Sequence, residues 1–167
     1  MRLLAVDPSL RSTGFAVLER IANKIESIEY GIIKNPTGLL QSTCLVVIRD
    51  RLAELIQRYQ PDCAAIEAVI FVQSYRTAIT LGSARGAALL ALAERGLPIY
   101  EYAPRRVKQA VVGRGGAVKS QVGFMIRVQL GLTENPPEDA ADAMAIGLTH
   151  FQAQDVAKRL RKELERI

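Results

Sequence analysis

Two short apolar runs of the sequence each end on a carboxylate. Residues 3–6 lead into Asp7, and residues 63–66 lead into Glu67. A short apolar run bounded by turn residues is typical of a buried strand, so an acid at its end is held rigidly where the sheet opens to solvent. For Asp7 the alternative is a plain turn, because Asp is common in turns and Pro8 follows it. Taken alone, the pattern leaves both interpretations open.

A second pair of acids, Asp139 and Asp142, lies near the beginning of a predicted helix. Positions three apart share one face of a helix, with Cβ atoms about 5–6 Å apart. Two like charges at this distance repel, so we expect both to stay ionised only when cations compensate them. Acids in a first helical turn can instead simply complement the helix dipole, which requires no site.

Together the four acids indicate one chemistry more strongly than each does alone. Two strand-end acids and a helical i, i+3 pair are an arrangement that can hold two Mg²⁺ ions for phosphoryl transfer, since Mg²⁺ prefers hard oxygen ligands. Such ions lower the pKa of an attacking water, so no Ser, Cys or His nucleophile is required. The single histidine, His150, lies about two helical turns past Asp142, and we interpret it as structural or peripheral. Cys44 and Cys63 are interpreted as reduced core residues.

The elements that must position these acids follow from hydrophobic spacing and turn signals. The predicted strands and helices, in chain order, are strands at 3–7, 14–18 and 24–34, an amphipathic helix ending before Pro61, a strand at 63–67, a helix at 74–95, a strand at 98–102, a helix beginning at Pro104, a helix at 119–130 and a final helix from about 138. This order predicts an α/β chain with a mixed sheet and helices on its faces.

Composition limits the class of protein. The 167 residues, 49% of them hydrophobic, fit one domain over residues 1–167, with a C-terminal helix end or tail from about 152. No stretch approaches the roughly 20 apolar residues of a membrane helix, so we expect a cytoplasmic protein. The net charge of +5 favours a polyanionic partner.

With the four acids in this order, the chain resembles the RuvC family of Holliday-junction resolvases, in the RNase H-like superfamily, from Met1 to about Phe151. The segments that carry the resemblance are 65–67, 81–86, 107–113, 119–122 and 139–146. It implies an RNase H-like fold with a five-stranded sheet, three strands antiparallel and then parallel ones, and helices on both faces. It also implies a homodimer that nicks two opposed strands of a four-way DNA junction in recombination and repair, together with RuvA and RuvB. The four acids would then be catalytic metal ligands for two Mg²⁺ per subunit, with Mn²⁺ able to substitute.

The resemblance also assigns DNA contacts to basic residues. Lys108 and Lys119 match basic residues of the family's DNA-binding and catalytic surface, and the alternative for both is a solvated helix face. The glycine-rich segment 113–116 is expected to carry Arg114 toward the phosphate backbone, and Arg76 is expected on the same DNA-binding surface.

One position departs from the family near the junction centre. Ile70 stands where the family typically has Phe, and Phe71 follows it. Neighbours on a regular strand point to opposite faces, so Phe71 replaces the missing ring only where the chain turns irregularly. Both residues are candidate DNA contacts.

The helix at 74–95 is rich in small residues that leave little side-chain bulk for a core, namely Gly82, Ala84, Gly86, Ala87 and Ala88. Small residues let another helix approach closely, so we predict the dimer interface here. The alternative is that they only let the helix pack on its own sheet.

Two other classes of protein share part of this pattern. Actin- and hexokinase-like ATPases begin with a similar strand, acid and hairpin, but they need two such domains. A junction-binding protein without catalysis would fit the basic charge, but it would not need all four acids.

Overall fold

The computed structural model describes residues 1–22, 24–69 and 74–167. Its core is a five-stranded sheet formed by β1 (Arg2–Asp7), β2 (Ser12–Ile21), β3 (Lys24–Lys34), β4 (Cys63–Glu67) and β5 (Ile99–Tyr102). The spatial order is β3-β2-β1-β4-β5. The first three strands pair antiparallel, whereas β1 with β4 and β4 with β5 pair parallel. The predicted mixed sheet is confirmed.

In the part of the chain that the structure describes, five helices cover both faces of this sheet, as predicted. They are α1 (Gln41–Tyr59), α2 (Tyr75–Ala93), α3 (Pro104–Val112), α4 (Lys119–Leu130) and α5 (Glu138–Leu160). Side chains of β1 alternate between the two layers, because successive strand residues point to opposite faces. Leu4 and Val6 pack in the core under α1 and α2, and Leu3 and Ala5 pack in the core under α3, α4 and α5.

Strand β2 begins earlier than the predicted residue 14. Ser12 and Thr13 already continue the antiparallel ladder, opposite Lys34 and Ile33 of β3. The sequence pattern missed them because neither residue is apolar. This extension places Ser12 on the sheet itself instead of in the preceding turn.

Helix α5 is the most deeply buried helix of the fold. Its central stretch is rich in small residues, and a Cβ added at Gly147 would lie 2.6 Å from Leu18 Cδ1 and 3.4 Å from Ala5 Cβ. The missing side chain therefore lets the helix axis come close to β1 and β2. Residues of α5 from Ala140 to Phe151 other than Asp142 are all buried.

The sequence also made predictions about the two cysteines and about the first and last residues of α2. Cys44 and Cys63 are both buried and free, as expected. Helix α2 is capped by Ser74, whose Oγ accepts from the Thr77 backbone N–H at 3.2 Å, and it ends at Ala93 instead of residue 95. None of the helices in the described ranges is long and apolar enough to cross a membrane.

Candidate functional site

Asp7 and Glu67 lie side by side at one edge of the sheet. Each is the last residue of its strand, and the residues before them, Val6 and Ile66, are partners in the parallel ladder of β1 and β4. Both acids continue the alternation that points Ala5 and Ala65 into the core under α5. The two carboxylates therefore face the layer that contains α5.

Helix α5 begins against the same edge. Gly14 of β2 is the antiparallel partner of Asp7. A Cβ added at Gly14 would lie 1.9 Å from the backbone oxygen of Asp139. The first turn of α5 therefore rests on β2 directly beside Asp7, and it brings Asp139 and Asp142 to the two strand-end acids.

The electrostatics show that these four acids lie close enough for their charges to act on one another. Burial, followed by the charges of Glu67, Asp142 and Asp139, raises the pKa of Asp7 to about 8. Burial, followed by the charge of Asp142, raises the pKa of Glu67 to about 7. Burial also raises the pKa of Asp142. The protein alone compensates this negative charge incompletely, which favours a bound cation.

The donors fit a magnesium site by their chemistry, because all four are carboxylates. Two of them already have protein partners. The Ser12 hydroxyl donates to Asp139 Oδ2, and Lys119 Nζ lies 3.4 Å from Asp142 Oδ2. Within the described residues, no group of three or more His, Cys, Asp or Glu side chains is placed to hold a metal ion. The four acids therefore offer oxygen donors of a type that Mg²⁺ prefers, but their side chains are not arranged around one point.

Lys108 and Lys119 lie at the rim of this cluster. The charge of Lys108, from α3, lowers the pKa of Glu67, partly offsetting the effect of burial. Lys119, at the start of α4, lowers the pKa of both Asp7 and Asp142 in the same way, and it also pairs with Glu138. Both lysines therefore place positive charge beside the acids.

Two of the other predicted DNA contacts, Arg114 and Arg76, are exposed side chains. Arg114 is exposed in the loop between α3 and α4, and its Nη2 donates to Gln121 Oε1 at 3.3 Å. Arg76 is exposed in the first turn of α2 and lines a cleft of about 430 Å³ that Ser9, just beyond Asp7, also lines. Ile70 and Phe71 fall outside the described residues.

His150 is fully buried in α5, away from solvent. Its Nδ1 lies 2.8 Å from Tyr102 Oη, and its Nε2 lies 3.6 Å from Cys63 Sγ. Burial lowers the pKa of His150 to about 4, so the ring is neutral at pH 7. This agrees with the structural interpretation of His150. The sequence did not identify the partners of His150, which are Cys63 and Tyr102. Their side chains lie on the same face of the sheet as Glu67.

Comparisons with known proteins give a consistent result. The family model described as "Crossover junction endodeoxyribonuclease RuvC" matches residues 3–150. The protein of that name from Akkermansia muciniphila is 49% identical over 158 residues, 95% of this chain and 95% of the relative. The one from Chloroflexus aggregans is 46% identical over 160 residues, 95% of this chain and 98% of the relative. The structure described as "T. thermophilus RuvC in complex with Holliday junction substrate" matches with a TM-score of 0.90 and 32% identity, covering 100% of this chain and 99% of that chain.

Proposed function

Because the chain belongs to the RuvC family of crossover junction endodeoxyribonucleases, we propose that Asp7, Glu67, Asp139 and Asp142 hold the metal ions with which it resolves Holliday junctions. The observation that carries this proposal is the meeting of the four acids at one sheet edge, where burial and mutual repulsion raise the pKa of Asp7 to about 8. Such a cluster binds cations because a cation removes the repulsion. The family is one of metal-dependent nucleases, and we propose two Mg²⁺ per subunit, with Mn²⁺ as a substitute.

When bound, Mg²⁺ would lower the pKa of an attacking water and stabilise charge on the entering and leaving phosphate oxygens. The strand-end acids Asp7 and Glu67 provide ligands that the sheet holds in place. Asp139 and Asp142 provide ligands from the opposite side, on the first two turns of α5. Hydrolysis at this site requires no protein nucleophile, in keeping with the burial of both cysteines and of His150.

We propose that the basic rim holds the DNA. Lys108 and Lys119 flank the acids, so they would contact the phosphates nearest to the bond that is cut, and Arg114 and Arg76 would contact phosphates farther along the arms. The net charge of +5 supports a polyanionic substrate. Since that substrate is junction DNA, we also propose a cytoplasmic location and action together with RuvA and RuvB.

We further propose that the protein acts as a homodimer through α2. Ala84 and Ala88 face inward and are fully buried in the core shared with α1, so the small residues on that side serve packing within the chain. The outward side presents Ile79 at 63% and Leu90 at 53% exposure, and Gly82 lies between them. A junction has approximate two-fold symmetry, and a two-fold dimer would place one acid cluster at each of two opposed strands.

The test is cleavage of a synthetic four-way junction in the presence of Mg²⁺. We expect paired nicks from the unmodified protein and none from Asp7→Asn, Glu67→Gln, Asp139→Asn or Asp142→Asn. Binding of the uncut junction is expected to be equal or tighter in each variant, because each loses a charge that repels phosphate. Asp50→Asn removes an exposed carboxylate of α1 and is the matched control.

Two results would contradict the proposal. Loss of junction binding in all four variants would show that the acids support the fold instead of a metal. Junction binding without cleavage by the unmodified protein would favour a binding protein over a nuclease.

A further inference from the structure

We propose that Ser12 and Gly14 of β2 are positioning residues for Asp139, and that together they form the support on which this metal ligand is held. The inference rests on the proposed function, since it concerns one of the four acids. It extends that function to two residues that have no ligand role themselves.

Strand geometry places the two residues together. Ser12 and Gly14 are two apart on β2, so they point to the same face of the sheet. Ala16, the next residue in this alternation, packs in the core under α5. Gly14 is also the ladder partner of Asp7. The support therefore lies between a strand-end ligand and the helix that provides the other pair.

Gly14 sets the distance between β2 and α5. A Cβ at this position would lie 1.9 Å from the backbone oxygen of Asp139, 2.6 Å from its carbonyl carbon and 3.3 Å from the backbone nitrogen of Ala140. These are backbone atoms of a helix, so they cannot rotate away as a side chain can. Any larger residue must displace the first turn of α5 from Asp7. A misplacement of about 1 Å in an active site can lower a rate about 100-fold.

Ser12 sets the direction of the Asp139 side chain. Its hydroxyl donates to Asp139 Oδ2, a charge-assisted hydrogen bond that is stronger than one between neutral groups. The neighbouring ligand Asp142 has a cationic partner instead, Lys119 at 3.4 Å. A neutral hydroxyl orients a carboxylate without neutralising it. The Ser12 hydroxyl therefore holds the Asp139 rotamer without placing a positive charge beside the carboxylate.

The test compares Ser12→Ala with Ser12→Thr, which keeps the hydroxyl. The first measurement is the Mg²⁺ concentration that gives half-maximal junction cleavage, and the second is calorimetric titration of the DNA-free protein with Mn²⁺. Loss of a hydrogen-bond partner of a metal ligand typically costs 10–100-fold in metal affinity. We expect Ser12→Ala to require about 10-fold more metal in both measurements, and Ser12→Thr to restore most of the affinity. Ser42→Ala, at an exposed position of α1, is the control.

Gly14→Ala tests the second residue. We expect a lower rate even at saturating Mg²⁺, because the displaced helix turn cannot be corrected by added metal. Gly31→Ala is the matched control, since a Cβ there would meet only the Phe15 ring at 3.1 Å, a side chain that can shift. Should Gly14→Ala fail to fold, the Ser12 variants still decide the inference.

Controls separate this inference from the proposed function. If the unmodified protein and Asp139→Asn cleave junctions equally, the proposed function is wrong. If Asp139→Asn is inactive while Ser12→Ala shows unchanged metal dependence, only the positioning role is overturned. Equal impairment of Ser12→Thr and Ser12→Ala would also overturn it, because the hydroxyl would then not be the group that acts.

Discussion

Asp7→Asn should stabilise the metal-free protein, and it should do so increasingly as the pH rises. The pKa of this carboxyl is raised from 3.8 to about 8 by burial and by the neighbouring acids. Between these two values the folded chain binds a proton that the unfolded chain does not. The stability of the unmodified protein therefore falls as pH rises through this window. Asn carries no titrating group, so the variant loses this contribution to the slope.

The size of the effect follows from the width of the window. Within the range from pH 5 to pH 9, the folded chain binds the extra proton up to its pKa of about 8, which is about three pH units. At about 1.4 kcal/mol per unit, this corresponds to about 4 kcal/mol. The site opens to the sheet edge, so water and salt ions stabilise part of the ionised form. We expect the stability advantage of Asp7→Asn to grow by about 2 kcal/mol over this range, which for a chain of this size is a shift in Tm of about 4–8 °C.

The assay is thermal unfolding of both proteins in a chelator at pH 5, 7 and 9, followed by the same series with Mg²⁺. Asp50→Asn serves as the control for loss of an exposed Asp. Added Mg²⁺ at 100 times its Kd should stabilise the unmodified protein by about 2.7 kcal/mol, and the variant by much less. A Tm difference that stays constant from pH 5 to pH 9 would refute the reasoning, because it would mean that Asp7 is not buried among like charges.

Three further predictions concern the basic rim, the dimer and the core. Lys108→Ala and Lys119→Ala should each weaken junction binding and make its salt dependence shallower, as measured by titration at several salt concentrations. An unchanged slope would mean that both lysines are only solvated residues on a helix surface. Gly86→Glu, on the exposed side of α2, should give a folded monomer in sedimentation that no longer makes paired cuts, and a variant that still dimerises would contradict the assignment of α2. Burial lowers the pKa of His150 from 6.5 to about 4, so the unfolded chain binds this proton at a higher pH than the folded chain does. The protein should therefore lose up to about 3 kcal/mol of stability as the pH falls from 6.5 to 4. His150→Gln should flatten that acid limb in chemical unfolding, and a limb of unchanged steepness would mean that the ring does not titrate as its burial requires.

The positions of the four acids were accessible from the sequence because they depend on local signals. An apolar run that ends on Asp7 or Glu67 marks a strand end, and a proline-led helix start near 138 places Asp139 and Asp142 one turn apart. The family resemblance predicted the mixed five-stranded sheet, which the fold confirms. The adjacency of β1 and β4, which brings Asp7 and Glu67 together, comes from the structure.

The partners of these acids were not accessible in the same way. The hydrogen bond of Ser12 to Asp139 joins residues 127 apart, and it depends on how closely α5 rests on β2. That distance is set by Gly14, whose absent side chain leaves no periodic pattern. The hairpin itself offered one signal, because pairing its two strands residue by residue places Gly14 opposite Asp7. The pairing of Lys119 with Asp142 depends on side-chain conformation across two helices, which spacing along the chain does not encode.

The depth at which α5 is buried has a consequence for how motion is distributed in the molecule. Backbone amides along a helix packed this closely exchange with solvent only when much of the protein opens, whereas exposed loops such as the one with Arg114 open far more readily. The buried stretch of α5 that follows Asp142 thus belongs to the slowest-exchanging part of the chain, and the loop with Arg114 belongs to a faster-exchanging part. We therefore expect the outer loops to adjust to junctions of different sequence and arm geometry, while the buried part of α5 keeps a constant position against β1 and β2.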